Sequence, residues 1–338
     1  MALRWSWSFG AESYADLQTM GWTMAQNVAW WTQTTTNVYT YAGSPTRYGW
    51  EMLGDNYAYC QLPAAVTTTL SQGWIAVPAK ALSSYSGGLF IQVTSGPSNS
   101  RINISSGGAL SLYVNGVFKE TSVAQDFSSW RYVALKFDHS GSSWSAQVYV
   151  DGSSVTSSYS ETVSAQTSST VIIQGALGSG GLRGHCFSQV IVWDAATDSG
   201  QTPYYATRAE PTADGTNIGT WTPSTGAYDY AVVDSPFDTA TYTQDASPSA
   251  SDRCEVVTST IATALGITPG TVAGVTAHTF SEGQAVTARA VVGPSSGAEA
   301  NGSSTAISAS TTTYAIATST ATFSGSDTID VIYEVVST

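Results

Sequence analysis

The strongest constraint on this chain is a succession of short runs in which apolar and polar residues alternate. Each run is closed by Gly, Ser, Asn or Asp. They read GLFIQV (88–93), SRINIS (100–105), ALSLYVNGVF (109–118), WRYVALKFD (130–138), SAQVYVDGS (145–153), TVIIQGAL (170–177) and FSQVIVWD (187–194). Side chains of an extended chain point alternately to opposite faces, so a period of two means one face buried and one solvated. Runs of this length bounded by turn formers are strand signals. Two of the turns are explicit. Asn115-Gly116 sits in LYVNGVF and Asp151-Gly152 in VYVDGSS, and both dipeptides supply the positive φ angles of a two-residue hairpin. Many short strands at close spacing predict an all-β chain built as sandwiches.

Helix signals are weak. Ala11–Met20 reads as a short helical turn. Glu255–Leu265 has some apolar spacing, but its Thr and Val content favours a strand with a short helix or turn. A length of 338 residues exceeds one typical domain. The expected boundary lies near 201–215, where QTPYYATRAEPTADG carries two prolines and no periodicity. Aromatic content also changes there, since ten of eleven Trp precede residue 194. The expectation is two tandem β-sandwich domains, 1–205 and 212–338. In the second, AVTARAVVG, STAISAS, TTYAIATSTATF and DTIDVIYEVVS carry the strand pattern through Val, Ile and Tyr at period two.

Charged residues make up only 10% of the chain, with Lys80, Lys119 and Lys136 its three lysines. Polarity rests on Ser, Thr, Asn, Gln and Gly instead. That surface suits a rigid, proteolysis-resistant extracellular or particle protein, or reflects a lineage preference in composition. Net charge is −13. Residues 1–211 hold nine basic and twelve acidic side chains, or −3, and residues 212–338 hold two and twelve, or −10. An acidic chain without a basic stripe argues against direct nucleic-acid binding and against docking on an anionic membrane. Cys60, Cys186 and Cys254 form no Cys-x-x-Cys pair, so neither a zinc ribbon nor a thioredoxin-like motif is supported. Buried thiols are the default reading, with a Cys60–Cys186 disulfide left open. The start MALRWSWSFG has no apolar signal region, and no window reaches ~18 apolar residues. The expectation from these features is a protein assembled in the host cytoplasm and released in a particle by lysis.

Trp130-Arg131-Tyr132-Val133-Ala134-Leu135-Lys136-Phe137-Asp138, followed by Gln147-Val148-Tyr149-Val150-Asp151-Gly152, resembles a laminin-G-like, concanavalin A-type jelly roll. Phe9–Trp22, with Ala15-Asp16-Leu17 and Gly21-Trp22, is similar to the first strand region of lectin-like modules in tailed-phage virion proteins. Ala231-Val232-Val233-Asp234, Pro236-Phe237-Asp238, Ala288-Arg289-Ala290 and the ending Tyr333-Glu334-Val335-Val336 are similar to a C-terminal module of phage structural proteins. The resemblance implies a virion protein of head or tail, with other virion proteins and further copies of the chain as partners. It also implies a calcium site at one rim of the sandwich. Asp138, Asp151, Asp194 and Asp198 lie at strand ends or turns where such ligands gather, although Asp favours turns for its own reasons.

Enzyme relatives of this fold, such as laminarinases, carry Glu-x-Asp-x-x-Glu. Retaining glycoside hydrolysis needs two carboxylates about 5 Å apart. No such pattern occurs here. Glu51, Glu120 and Glu161 are isolated, and Asp327 and Asp330 face opposite sides of an ideal strand. His139, His185 and His278 are far apart, and no nucleophile elbow joins a strand to a helix. His139, in Asp138-His139-Ser140-Gly141, reads as a solvated turn residue. The aromatic cluster Trp30, Trp31, Tyr39, Tyr41, Tyr48 and Trp50 has three uses open to it: core, subunit interface, or a platform for host surface glycans. The functional expectation is a non-enzymatic structural or decoration protein of a phage particle with weak glycan adhesion. A host-recognition lectin at the tail tip is the alternative, and a polysaccharide depolymerase the remote third.

Overall fold

The computed structural model describes residues 3–8, 13–25, 31–34, 49–53, 59–81, 90–95, 98–105, 108–163, 170–174, 184–194, 200–203, 213–214, 222–224, 226, 243–244, 251–257, 271–272, 275–281, 287–294, 299–302, 305–306, 313–319, 323–324 and 328–336. The chain divides into two compact units, Met1–Thr40 with Thr46–Ala206, and Tyr41–Pro45 with Thr207–Thr338.

In chain order the first unit's strands begin with β1 (Leu3–Ser8), β2 (Thr23–Ala25), β3 (Trp31–Thr34), β4 (Gly49–Leu53), β5 (Tyr59–Gln61) and β6 (Gln72–Ala81). Then come β7 (Phe90–Ser95), β8 (Ser98–Ile104), β9 (Leu110–Val114), β10 (Val117–Thr121), β11 (Arg131–Asp138) and β12 (Ser143–Val150). Last are β13 (Ser153–Ser154), β14 (Tyr159–Thr162), β15 (Thr170–Gln174), β16 (Gly184–Phe187) and β17 (Gln189–Trp193). The short helices are α1 (Tyr14–Thr19) and α2 (Ala64–Thr67). A capping box starts α1: Ser13 Oγ accepts from Asp16 N, and Asp16 Oδ2 accepts from Ser13 N. No helix among the described residues is long and apolar enough to cross a membrane.

The strands form two antiparallel sheets. One has seven strands in the order β10-β9-β8-β7-β15-β5-β2. The other has ten, with β13-β12-β11-β6-β16-β4-β3 as its spine, β14 on β12, and β17 bridging β6 to β1. Both explicit turns are two-residue hairpins with positive φ, at Asn115 (52°) and Gly116 (73°) and at Asp151 (48°) and Gly152 (86°). Ile91, Val93, Ile102, Leu110, Leu112, Val171 and Ile173 of the first sheet are fully buried, as are Ile75, Val77, Val133, Leu135 and Phe137 of the second. These inner faces make the core, and each such side chain contributes roughly 1.5–3 kcal/mol relative to exposure. Trp5, Trp7 and Trp22 add a ring cluster with centroids 5.7–6.3 Å apart. Cys60 of β5 and Cys186 of β16 are buried thiols in different sheets, not a disulfide. Burial pushes the Cys60 thiol well above its ordinary pKa.

The centre of the ten-stranded sheet is buried on its outer side too. Leu3, Trp74, Ala76, Tyr132, Ala134, Ile191 and Trp193 form a second cluster there, with Trp130 and Tyr149 against it. The chain returning at Gly200 lies directly on the Trp74 ring. The described outward residues of the seven-stranded sheet are half-buried or exposed, which makes that side the open face of the described residues.

The second unit is also antiparallel. Its main sheet runs Ala213–Asp214, Ser251–Val257, Thr328–Val336, Thr287–Pro294 and Ala300–Asn301, with Thr305–Ala306 also on Thr287–Pro294. Val275–Ser281 pairs with Thr313–Ser319, and both pack near Thr287–Pro294. The start of Glu255–Leu265 is strand, and residues 258–265 lie outside the described residues.

Candidate functional site

Register decides which side chains share the open face. Gln61 stands opposite Ile172, Ile172 opposite Gln92, Gln92 opposite Arg101, Arg101 opposite Tyr113, and Tyr113 opposite Phe118. That row crosses six strands on the side away from the core. Asn99 and Thr94 form a neighbouring pair, as do Asn103 and Ser111. The row's polar members are half-buried, and Phe118 is 53% exposed.

Several of these side chains are held in place. Arg101 Cζ lies 4.2 Å from the Tyr113 ring centroid, and the Tyr113 and Phe118 rings meet edge to face at 5.6 Å. Gln92 Nε2 donates to Thr94 Oγ1 at 2.7 Å, and Ser111 and Thr121 join their hydroxyls at 3.0 Å. On β10, Lys119 pairs with Glu161 and Glu120 Oε2 accepts from Ser157 N, so both charges turn toward the ten-stranded sheet. Arg101 is then the one charged side chain among the described outward residues, and none of them is Asp or Glu. The face can stack on a flat apolar ring face and exchange hydrogen bonds through amides, hydroxyls and one guanidinium. Among its described residues there is no carboxylate pair of the kind glycoside hydrolysis uses.

Of the four aspartates expected at a calcium rim, the three described ones, Asp138, Asp151 and Asp194, are each engaged locally. Asp138 Oδ1 accepts from both Ser140 N and Ser140 Oγ. Asp151 accepts from Tyr132 N and Arg131 Nη1, each at 2.8 Å. Asp151 lies beside Tyr132 at the start of β11 while Asp138 ends it, and six residues of strand separate them by about 20 Å. Asp194 Oδ2 lies 4.0 Å from Arg4 Nη1. Asp198 lies outside the described residues. Among the described residues no three His, Cys, Asp or Glu side chains form a metal-binding group. Calcium needs six to eight oxygens, and the three described carboxylates serve turns and strand ends instead of one shared site.

Two of the aromatic candidates, Trp31 and Trp50, fall at the far edge of the ten-stranded sheet. β3 pairs with β4, setting Trp31 opposite Met52 and Trp50 opposite Gln33. Trp30, Tyr39, Tyr41 and Tyr48 lie outside the described residues. His139 corrects the sequence reading: it is fully buried, not solvated. Its ring stacks on Trp144 at 3.8 Å, its Nε2 meets Ser100 Oγ at 2.8 Å, and its Nδ1 has no hydrogen-bond partner. Strand parity was the signal for this, because His139 continues the inward series Val133, Leu135, Phe137. The open-face row gave no sequence signal, since its members are scattered over more than a hundred residues.

No family model matches the chain, and no curated protein matches it. Among solved structures, parts of the chain are similar to lectins and to glycoside-acting proteins. A sialidase is 13% identical with a TM-score of 0.40, and the match covers 59% of this chain and 19% of the sialidase. Peanut lectin is 10% identical with a TM-score of 0.37, covering 56% of this chain and 96% of the lectin. A GH16 protein of Bacteroides ovatus is 10% identical with a TM-score of 0.33, covering 48% and 94%. The chain thus spans about a fifth of the sialidase and nearly all of the other two.

Proposed function

We propose that this chain is a non-enzymatic structural component of a phage particle whose first unit contacts glycans through the open face of its seven-stranded sheet. The observation that carries the glycan contact is the row Phe118–Tyr113–Arg101–Gln92. It combines ring faces, amide and guanidinium donors, and no carboxylate. Sugars offer flat C–H faces to aromatic rings and hydroxyls to amides. The sequence has no Glu-x-Asp-x-x-Glu pattern and the described outward residues include no acid pair, which supports binding without hydrolysis. The placement in a virion rests on the residues that resemble phage structural modules and on the sparse charge. Other virion proteins and further copies of this chain are the partners in that reading. A host-recognition lectin at the tail tip is the second reading, favoured by the outward Phe118 ring.

The test is a panel of bacterial surface polysaccharides assayed for binding and for release of reducing ends. Binding without release is expected, with Tyr113→Ala weakening it about tenfold or more through loss of ring stacking. Release of reducing ends, or a panel with no binding partner, overturns the reading. Electron microscopy of particles then separates the decoration role from the tail-tip role.

A further inference from the structure

We propose that the open face selects sugars carrying a carboxylate, which pairs with Arg101 while the sugar ring lies against Tyr113 and Phe118. This rests on the glycan-contact reading above and names its ligand class.

Three observations point there. First, Arg101 has no acidic partner among the described residues, although a cation inside a protein sheet is ordinarily paired. The neighbouring charges, Lys119, Glu161 and Glu120, are already engaged with each other or with the backbone. Second, Arg101 Nε is buried without a hydrogen-bond partner, and so is Asn99 Oδ1 two residues earlier on the same face. Both atoms are covered, so this stretch of the face is short of polar partners, and an incoming carboxylate would be received by the terminal amino groups of the guanidinium. Third, the guanidinium is already fixed over the Tyr113 ring at 4.2 Å, so little freedom is lost when it receives a planar carboxylate. None of the described outward residues is a carboxylate, so none of them competes for Arg101 or repels an acidic ligand at contact distance.

The experiment measures binding of the full chain by calorimetry to two carboxylated probes, tetragalacturonate and 3′-sialyllactose. Their neutral counterparts are methyl-esterified tetragalacturonate and lactose. At least one carboxylated probe is expected to bind about tenfold or more tightly than its counterpart, as a charge-assisted hydrogen bond provides. Which one does so separates a uronate from a sialate. Arg101→Gln should bring that probe down to its neutral counterpart's affinity. Arg101→Lys should keep part of the preference, since it retains charge but not the planar fork. An unchanged thermal midpoint in both variants shows that the fold is intact. Equal affinity for acidic and neutral probes, or a preference that survives Arg101→Gln, overturns this proposal and leaves the glycan-contact reading standing. No binding to any of the four overturns both.

Discussion

His139 shows how one side chain ties stability to pH. Burial holds its imidazole down from 6.5 to about 4, with Asp138 opposing the shift only in part. The neutral ring stacks on Trp144, lies edge-on to Phe137, and shares a hydrogen bond with buried Ser100. Between those two pH values the unfolded chain binds the proton and the folded chain does not. Stability contributed by the neutral ring is therefore complete above pH 6.5 and is lost as pH falls toward 4. The shift corresponds to about 3 kcal/mol. Urea unfolding at neutral pH and near pH 4.5 should show that loss, superimposed on carboxylate titration. His139→Phe should keep the ring stack, cost roughly 1 kcal/mol at neutral pH by stranding Ser100, and flatten the acid-side slope. An identical slope in the variant would assign the pH dependence to other groups.

At the scale of elements, the approach of β6 to β17 depends on Gly73. Its φ is +143°, and a Cβ there would lie 1.9 Å from the Trp193 carbonyl oxygen. That oxygen belongs to backbone and cannot swing aside, so Gly73→Ala should cost about 3 kcal/mol or more in denaturant unfolding. A loss under about 1 kcal/mol would mean that the two strands part easily. The same region shows where sequence reading stops. Strands with one wet face, such as β9 (burial alternating along Leu110–Val114) and β12, announced themselves by period two. β6 did not, because Trp74 and Ala76 are buried outward while Ile75 and Val77 are buried inward, which erases the alternation. Pro78 also reads as a strand breaker. The sheet accommodates it where β6's second neighbour changes from β17, last paired at Ala76, to β16, first paired at Ala79. The open-face row was equally illegible for another reason. Arg101, Tyr113 and Phe118 become neighbours only once the registers of three strands are fixed, and each residue alone is ordinary strand surface.

Across the whole molecule, a sugar acid would approach Arg101 against a net charge of −13. Two electrostatic effects then oppose each other. The far field repels an anion and is screened over about 10 Å at 0.1 M salt. The Arg101 contact is short-ranged, partly desolvated by the Tyr113 ring, and far less screened. Raising salt from a few millimolar to about 0.15 M should therefore speed association of tetragalacturonate, by relieving long-range repulsion, while dissociation also quickens modestly. A broad basic groove would do the opposite, with association slowing as its steering field is screened. Surface plasmon resonance on immobilised protein separates the two rate constants. Association that slows with salt would mean the positive field reaches well beyond one guanidinium, and a single arginine in an acidic chain could not account for that.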